Sequence, residues 1–273
     1  MTLKDIASES VFASVGTFDS ANKLEVFCAY LKHNKKFVNC FSDIILSVNG
    51  DLSIINEISS RVKQIIDSNL HIVYSENLGH TFGTLLSDFK VFEYSATLSH
   101  KYVWKFSNDV LVEHSILDKQ VTPDKDFYYV NNIGYNVFNT YPTKSQLLTA
   151  LMSGEFYYPQ TNYYIIKNKI QFYPDENTIY SLRDQYRSIQ EKQPGIQPWH
   201  AIQGCDCEHM LSKTVQLNNL SKEHLLSENT TKVIIDFIHD EKIHDGSHKN
   251  IAYAELGNLC HYHYVGQPVA VVG

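Results

Sequence analysis

The stretch KYVWKFSNDVLVEH, residues 101–114, begins as an apolar run and is interrupted by three polar residues, Ser107, Asn108 and Asp109. Aromatic and β-branched side chains in the run favour a buried β-strand. Apolar residues resume directly after the polar triplet. A strand that ends on a carboxylate flanked by an amide and a hydroxyl indicates either an ordinary turn or a ligand-binding loop.

The sequence before this strand alternates between two hydrophobic periods. Strand-like runs cover residues 10–18, 42–51 and 71–79, and segments with apolar residues at helical spacing cover 21–33, 52–69 and roughly 82–99. Strands that alternate with helices of this length are typical of βαβ units. The sequence therefore predicts an α/β fold with a mostly parallel sheet flanked by helices.

Polar residues follow all four predicted strands. The carboxyl ends of parallel strands meet at one edge of an open sheet, where ligands bind. Asparagine, aspartate and glycine also end strands as plain turn residues, so any one of these turns taken alone favours no ligand. All four together favour a binding site. The residues expected at this edge are Thr17, Asp19, Asn49, Asp51, Asn77, His80, Asn108 and Asp109.

Composition and missing motifs exclude several classes of function. The 273-residue chain is 43% hydrophobic and 19% charged, as expected for a globular protein, and its formal charge of −7 opposes nucleic-acid binding. The chain contains no dinucleotide-binding G-x-G-x-x-G segment after its first strand, no phosphate-binding P-loop and no G-x-S-x-G nucleophile elbow. Nicotinamide-dependent oxidoreductases, P-loop phosphotransferases and α/β-hydrolases are therefore disfavoured.

Cysteine usage and the absence of targeting signals predict a cytoplasmic protein. The five cysteines form an odd set, and the CDC sequence at 205–207 lacks the spacing of a zinc knuckle. Residues 1–10 lack the layout of a secretory signal, and no apolar run is long enough to form an integral membrane segment. Reduced thiols are the expected state.

Three stretches resemble the nucleotide-sugar glycosyltransferases of the GT-A fold, most closely the family-2 type. ILSVNGD (45–51) is similar to the turn that holds the base and ribose, and ENLGHTFG (76–83), which includes Gly79, is similar to the Asn-x-Gly segment before the third helix. YVWKFSNDV (102–110) is similar to the strand that ends in the Asp-x-Asp motif. The resemblance covers residues 10–115, with weaker similarity to 265.

The resemblance implies transfer of a sugar from a nucleoside-diphosphate donor, with a UDP-sugar favoured, to a glycan or other hydroxyl acceptor, with inversion. Residues 1–273 are then a single GT-A-like domain, with a donor half at 1–115 and a mixed acceptor half at 116–273. The acceptor half contains predicted strands within 125–139 and 154–173, a helix or turn at 141–154 and a helix at 175–194.

The resemblance also implies a divalent cation, Mn²⁺ or Mg²⁺, that stabilises the diphosphate leaving group. Its implied ligand is Asp109, with Asn108 a ribose or diphosphate contact, although Ser107 stands where the family has its first acidic residue. His261 and His263 share one face of a predicted strand, and a late histidine completes the metal site in many relatives. Imidazole favours Mn²⁺. The alternative is a pair of surface histidines on an edge strand.

An acidic pair near residue 207 is the implied source of the catalytic base. Glu208 is favoured and Asp206 is second, because the family has a carboxylate at the start of a helix in this region. Burial beside Trp199 would raise the pKa of such a carboxyl. The alternative is that Asp206 caps the helix and Glu208 is a first-turn acid that interacts with the helix dipole.

Two other functions remain open at this point. The first is a metal hydrolase built on Asp206, Glu208 and the late histidines, although the sequence has no H-E-x-x-H motif. The second is a non-catalytic nucleotide-sugar-binding relative, which the serine at position 107 favours.

Overall fold

A mixed β-sheet organises the chain. The computed structural model describes residues 1–18, 21–50, 52–107, 110–111, 114–131, 135–229, 231–232, 235–236 and 260–261. The strands are β1 Ser10–Phe18, β2 Asp43–Gly50, β3 Asn69–Ser75, β4 Tyr102–Ser107, β5 Val110–Leu111, β6 Phe127–Tyr129, β7 Tyr163–Lys167, β8 Lys222–His224 and β9 Cys260–His261. Seven of them form one sheet in the order β3-β2-β1-β4-β7-β6-β8, and β5 pairs with β9.

The amino-terminal part of the sheet is parallel. β1 lies between β2 and β4, and β3 pairs with the outer edge of β2, all in parallel register. β7 then runs antiparallel to β4, β6 runs antiparallel to β7, and β8 is parallel to β6. The predicted α/β class, with a mostly parallel Rossmann-like sheet and a mixed carboxyl-terminal part, is confirmed.

Helices connect and cover the strands. They are α1 Leu3–Ser8, α2 Ala21–His33, α3 Lys35–Val38, α4 Ile55–Lys63, α5 His80–Ser95, α6 Lys144–Ser153, α7 Glu176–Lys192, α8 Pro198–Ala201 and α9 Cys207–Leu217, with 3₁₀ turns at Leu52–Ile54, His114–Asp118 and Tyr135–Asn139. Local signals define several ends. α6 begins with a reciprocal capping box between Thr143 and Gln146 and ends at Gly154 in the left-handed conformation.

Alternate residues of the central strands supply the two faces of the sheet. Phe12, Trp104 and Phe106 join a core with α1 to α4 and α6, while Val11 and Val103 join a second core with α5 and α9. This alternation is the two-residue period of a β-strand buried on both faces. α7 packs outside α5 through a smaller third cluster. The sheet therefore lies between two helical layers.

Several boundaries differ from the sequence predictions. The strand at 10–18 and the helix at 21–33 match their predicted bounds, whereas the strands expected within 125–139 and 154–173 are only three and five residues long. Aromatic residues in these two stretches also lie in loops and in a 3₁₀ turn. A prediction based on their strand propensity therefore gives strands that are too long. The short helix α1 was not predicted; Thr2 and Asp5 form its capping box.

Candidate functional site

The carboxyl ends of the parallel strands meet at one edge of the sheet, which we call the carboxyl edge. The register places Thr17 opposite Asn49, Asn49 opposite Ser75, and Val15 opposite Ser107. β7 runs the other way, so the loop before it reaches the same edge, where the Ser107 N–H donates to the Asn162 carbonyl oxygen over 2.7 Å. The predicted convergence of strand ends is present in the described backbone.

Asn49 connects β2 to the start of α5. Its side chain is 4% exposed, and Nδ2 donates to the carbonyl oxygens of Glu76 (3.3 Å) and Gly83 (3.2 Å). A Cβ at Gly83 would lie 2.8 Å from Nδ2, so this approach requires glycine. The Oδ1 atom of Asn49 is buried and has no hydrogen-bond partner among the described residues. The amide therefore fixes the strand–helix junction, and its predicted contact with a donor stays a prediction.

The Asn77–Gly79–His80 segment forms the turn into α5. Asn77 Oδ1 accepts a hydrogen bond from the Gly79 N–H over 3.0 Å, and Gly79 adopts a positive φ of 86°. A side chain at Gly79 would meet no atom within 4 Å, so the glycine is needed for its conformation. Asn77 and His80 are exposed at the amino-terminal end of the helix. Helix amino termini attract anions, so this turn is suited to a negatively charged group of a ligand.

Several predicted site residues cannot be located by side chain. Asp19, Asp51, Asn108, Asp109 and His263 lie outside the described residues. Thr17 and His261 are described through their backbone only, Thr17 in β1 and His261 in β9. Their predicted contacts with a donor or a metal stay predictions.

The backbone does bring one late histidine to the carboxyl edge. β5 pairs antiparallel with β9, which sets His261 opposite Val110. Val110 directly follows Asp109 in the sequence. A histidine more than 150 residues later in the chain is thus paired with β5, which begins three residues after the last residue of β4.

Asp206 caps α9 and has further partners. One carboxylate oxygen accepts from the His209 backbone N–H over 2.8 Å and from the Tyr158 hydroxyl over 3.0 Å, and the other contacts His209 Nδ1. The capping alternative therefore describes Asp206 correctly. Its effect is to fix the first turn of α9 against the loop that precedes β7.

Glu208 lies in that first turn but does not cap it. The Thr161 hydroxyl donates to Glu208 Oε1 over 3.3 Å. Burial raises the pKa of the Glu208 carboxyl; its own backbone N–H, Thr161 and Lys105 oppose this rise, and the charge of Asp206 adds to it. Trp199, expected beside this carboxyl, is 42% exposed on α8. A raised pKa makes the ionised carboxyl a stronger proton acceptor.

A buried ion pair beneath Glu208 was not predicted from the sequence. Lys105 on β4 and Asp88 on α5 are 1% and 3% exposed, with Lys105 Nζ 3.4 Å from Asp88 Oδ1. Lys105 also donates to the Thr161 carbonyl oxygen. The available signal was a lysine inside the apolar strand YVWKFS and an aspartate on the apolar face of LLSDFKVF.

Two kinds of feature are absent from the described part of the chain. No group of three or more histidine, cysteine, aspartate or glutamate side chains there is arranged to hold a metal ion. None of the helices in the same part is both long and apolar enough to cross a bilayer. The predicted metal ligands Asp109 and His263 are not among these residues.

Comparison with known proteins gave structural matches only. No protein-family model and no curated protein sequence matches this chain. Core-mannan synthase A from Aspergillus fumigatus, in an Mn/GDP form, is similar with a TM-score of 0.42 and 10% identity over 82% of this chain and 71% of its own. A mannosyltransferase from Pyrobaculum calidifontis, in complex with GDP-Man and Mn²⁺, has a TM-score of 0.44 and 11% identity over 86% of this chain and 65% of its own.

A third similar structure is the inositol-1-phosphate CTP transferase from T. maritima, with a TM-score of 0.41 and 12% identity over 80% of this chain and 85% of its own. Because these scores and identities are low, the fold class rests on the sheet order described above. The chain is an α/β protein with a mostly parallel, Rossmann-like sheet and polar groups gathered at its carboxyl edge.

Proposed function

We propose that this protein is a glycosyltransferase that moves a sugar from a nucleoside-diphosphate donor to an acceptor hydroxyl with inversion. The observation that carries the proposal is Glu208, a shielded carboxyl with a raised pKa at the carboxyl edge. The three sequence stretches that resemble GT-A glycosyltransferases all run to this same edge.

The strand ends supply the donor half of the proposed site. The turn after β2 contacts the base and ribose, and the Asn77–Gly79–His80 turn places the amino-terminal end of α5 towards the diphosphate. α5 is sixteen residues long, enough for its aligned peptide dipoles to attract an anion. A UDP-sugar is the favoured donor, as the sequence resemblance implies.

A divalent cation fits the groups that this chain offers. Asp109 supplies a carboxylate and His261 an imidazole, a set that suits Mn²⁺. β5 and β9 pair with Val110 opposite His261, and Val110 follows Asp109 in the sequence. Such a cation, when bound, stabilises the negative charge that develops on the departing diphosphate.

Glu208 is the proposed general base. Its carboxylate takes the proton from the acceptor hydroxyl while that oxygen bonds to the anomeric carbon. The bond between the anomeric carbon and the diphosphate oxygen breaks, and its electron pair leaves with the nucleoside diphosphate. Attack from the opposite face inverts the anomeric centre. Asp206 keeps the first turn of α9 in place through its contacts with His209 and Tyr158.

Calorimetry with UDP and GDP, each with and without Mn²⁺, tests the donor site. We expect weak binding of one diphosphate without the cation and much tighter binding with it, and we expect Asp109→Ala to remove the gain. Absence of binding by either diphosphate under both conditions would contradict the proposal. Stoichiometric zinc together with hydrolytic activity that needs no nucleotide would instead support the metal-hydrolase alternative.

A donor-hydrolysis screen in the presence of Mn²⁺ then tests for catalysis. The panel begins with UDP-sugars and includes GDP-mannose, the donor bound in the Pyrobaculum calidifontis structure. We expect slow release of nucleoside diphosphate from one donor by the wild type and none by Asp109→Ala. Binding of a donor without turnover in any condition would support the non-catalytic alternative.

A further inference from the structure

We propose that Asp88, Lys105 and Thr161 form a positioning unit that holds Glu208 at the site. The inference rests on the proposed role of Glu208 as general base. It extends that role to three residues that lie beneath the site, none of which is in the set expected to contact a donor or a metal.

Lys105 is the centre of this unit. Its side chain leaves β4 on the same face as Val103, which belongs to the apolar cluster formed with α5 and α9. Nζ lies 3.4 Å from Asp88 Oδ1, donates to the Thr161 carbonyl oxygen and sits 5.5 Å from the centre of the Tyr164 ring. A lysine buried to this extent carries a large desolvation cost unless its partners are fixed.

Thr161 transmits this arrangement to Glu208. Its carbonyl oxygen is held by Lys105, and its hydroxyl donates to Glu208 Oε1 over 3.3 Å. The next residue accepts a hydrogen bond from the Ser107 N–H, so the loop is tied to β4 at two adjacent points. The Thr161 hydroxyl therefore projects from a fixed backbone, and it orients the carboxyl that it contacts.

The positioning unit also affects the pKa of Glu208 through its charged residues. Lys105 lowers the pKa of Glu208, whereas Asp206 raises it, and burial is the largest contribution. Asp88 compensates the charge of Lys105, although burial raises the pKa of Asp88 as well. Among the described residues, Tyr158, Cys207 and His209 are further titratable groups near Glu208, and burial raises the pKa of Tyr158 and of Cys207.

Two substitutions should move the pKa of Glu208 in opposite directions. Asp88→Asn leaves the positive charge of Lys105 uncompensated, so the pKa of Glu208 should fall. Thr161→Val removes a hydrogen bond to the charged form, so the pKa of Glu208 should rise. Thr161→Ser keeps the hydroxyl and should retain the wild-type value. If Asp88 and Thr161 only stabilised the fold, the two substitutions would not shift the pKa of Glu208 in opposite directions.

The direct test is NMR titration of side-chain carboxyl carbons in ¹³C-labelled protein, with the Glu208 signal identified by its loss in Glu208→Gln. The matched control is Asp126→Asn, which breaks the Lys167–Asp126 ion pair (2.8 Å) at the opposite end of β7. We expect the control to leave the Glu208 titration unchanged. The double variant Lys105→Met/Asp88→Asn also removes the positive charge that lowers the pKa of Glu208, so its titration should lie above that of Asp88→Asn alone.

Activity supplies the second readout. Thr161→Val should lower kcat about tenfold, since it loses one hydrogen bond to the base, with KM little changed and with rescue by Thr161→Ser. The pH dependence of kcat should shift in the same direction as the NMR titration. If Asp88→Asn does not fold, the Val and Ser variants of Thr161 decide the question.

Titration shifts of the same sign in Asp88→Asn and Thr161→Val, or no shift in either, would overturn the positioning unit. Because the titration needs no substrate, this result is independent of the proposed function. If no donor is hydrolysed and the opposite shifts are nevertheless observed, the coupling to Glu208 is established and only the glycosyltransferase proposal fails.

Discussion

At the two edges of the sheet, the surroundings shift the pKa of a carboxyl group in opposite directions. At the amino edge, Asp43 begins β2 and accepts hydrogen bonds from His71 Nε2 (2.8 Å), His100 Nε2 (2.9 Å) and the Ser42 hydroxyl (2.8 Å). Burial alone would raise the pKa of Asp43, but these hydrogen bonds outweigh it and hold the pKa far below its usual range. The ionised form is the one that this edge stabilises.

At the carboxyl edge, Glu208 receives one side-chain hydrogen bond from the described residues, and burial raises its pKa. The ionised form is therefore destabilised there, and a carboxylate in that state accepts a proton more readily. At the amino edge, the Asp43 carboxylate has several hydrogen-bond donors and joins β2, β3 and the loop before β4. At the carboxyl edge, where ligands are expected, the Glu208 carboxyl has fewer.

The largest effect on catalysis is expected from replacing the Glu208 carboxyl. Glu208→Gln keeps the shape of the side chain but cannot accept a proton, so kcat for sugar transfer should fall on the order of a hundredfold or more. Asp43→Asn is the matched carboxyl-to-amide control at the other edge and should leave kcat unchanged. Steady-state kinetics with the donor found in the hydrolysis screen measures both variants. Equal loss of kcat in the two variants would remove the functional difference between the edges.

The next prediction concerns stability, to which Asp43 should contribute more than Glu208. Asp43→Asn removes hydrogen bonds to a charged acceptor, so the free energy of unfolding should fall by about 2 kcal/mol at neutral pH. Glu208→Gln should not lower it, because the amide avoids the cost of holding a charge in a half-buried position. Urea unfolding followed by circular dichroism compares the two. A Glu208→Gln protein less stable than Asp43→Asn would show that the carboxyl at residue 208 is held by more than its contact with Thr161.

The pH dependence of stability sharpens the same contrast. The pKa of Asp43 is lowered on folding, so its contribution is present above the unfolded pKa, near 3.8, and is lost as pH falls below that value. The pKa of Glu208 is raised, so its cost is absent below the unfolded pKa, near 4.5, and appears as pH rises above that value. Unfolding curves from pH 3 to pH 7 should therefore separate wild type from Asp43→Asn mostly at the upper end. Wild type and Glu208→Gln should also separate as pH rises. A constant difference across this range would exclude the assigned pKa directions.

Sequence reasoning predicted the amino-terminal half of the fold well for a clear physical reason. In residues 10–33 a strand with apolar side chains on both faces is followed by a helix with one apolar face, so the change of period is sharp. The aromatic stretches at 125–139 and 154–173 have no such contrast, because tyrosine and phenylalanine pack equally well in strands and loops. The strands there are consequently shorter than predicted.

The site was only partly predictable because its polar groups depend on distant partners. The capping position of Asp206 follows from local sequence, and so does the turn at Gly79. The burial of Lys105 depends on Asp88 and Thr161, which lie 17 and 56 positions away along the sequence. The Asp43 cluster likewise draws on His71 and His100, 28 and 57 residues later. Nothing in the local pattern around each residue specifies these pairs.

The smallest expected effect tests whether the first turn of α9 matters to Glu208. Asp206→Ala removes the amino-terminal cap and should cost about 1 kcal/mol of stability, whereas Asp206→Ser retains a capping oxygen and should cost less. Asp175→Ala is the matched control, because Asp175 caps α7 through the Thr178 N–H (2.8 Å) and that helix carries no proposed catalytic residue.

Asp206→Ala should lower the melting temperature at least as much as Asp175→Ala, since it also loses the Tyr158 hydrogen bond. Only Asp206→Ala should also lower kcat, because it loosens the turn that holds Glu208. Thermal unfolding and steady-state kinetics on the same samples separate the two effects. A parallel loss of kcat in Asp175→Ala would mean that general stability, and not the position of the α9 turn, governs activity at the carboxyl edge.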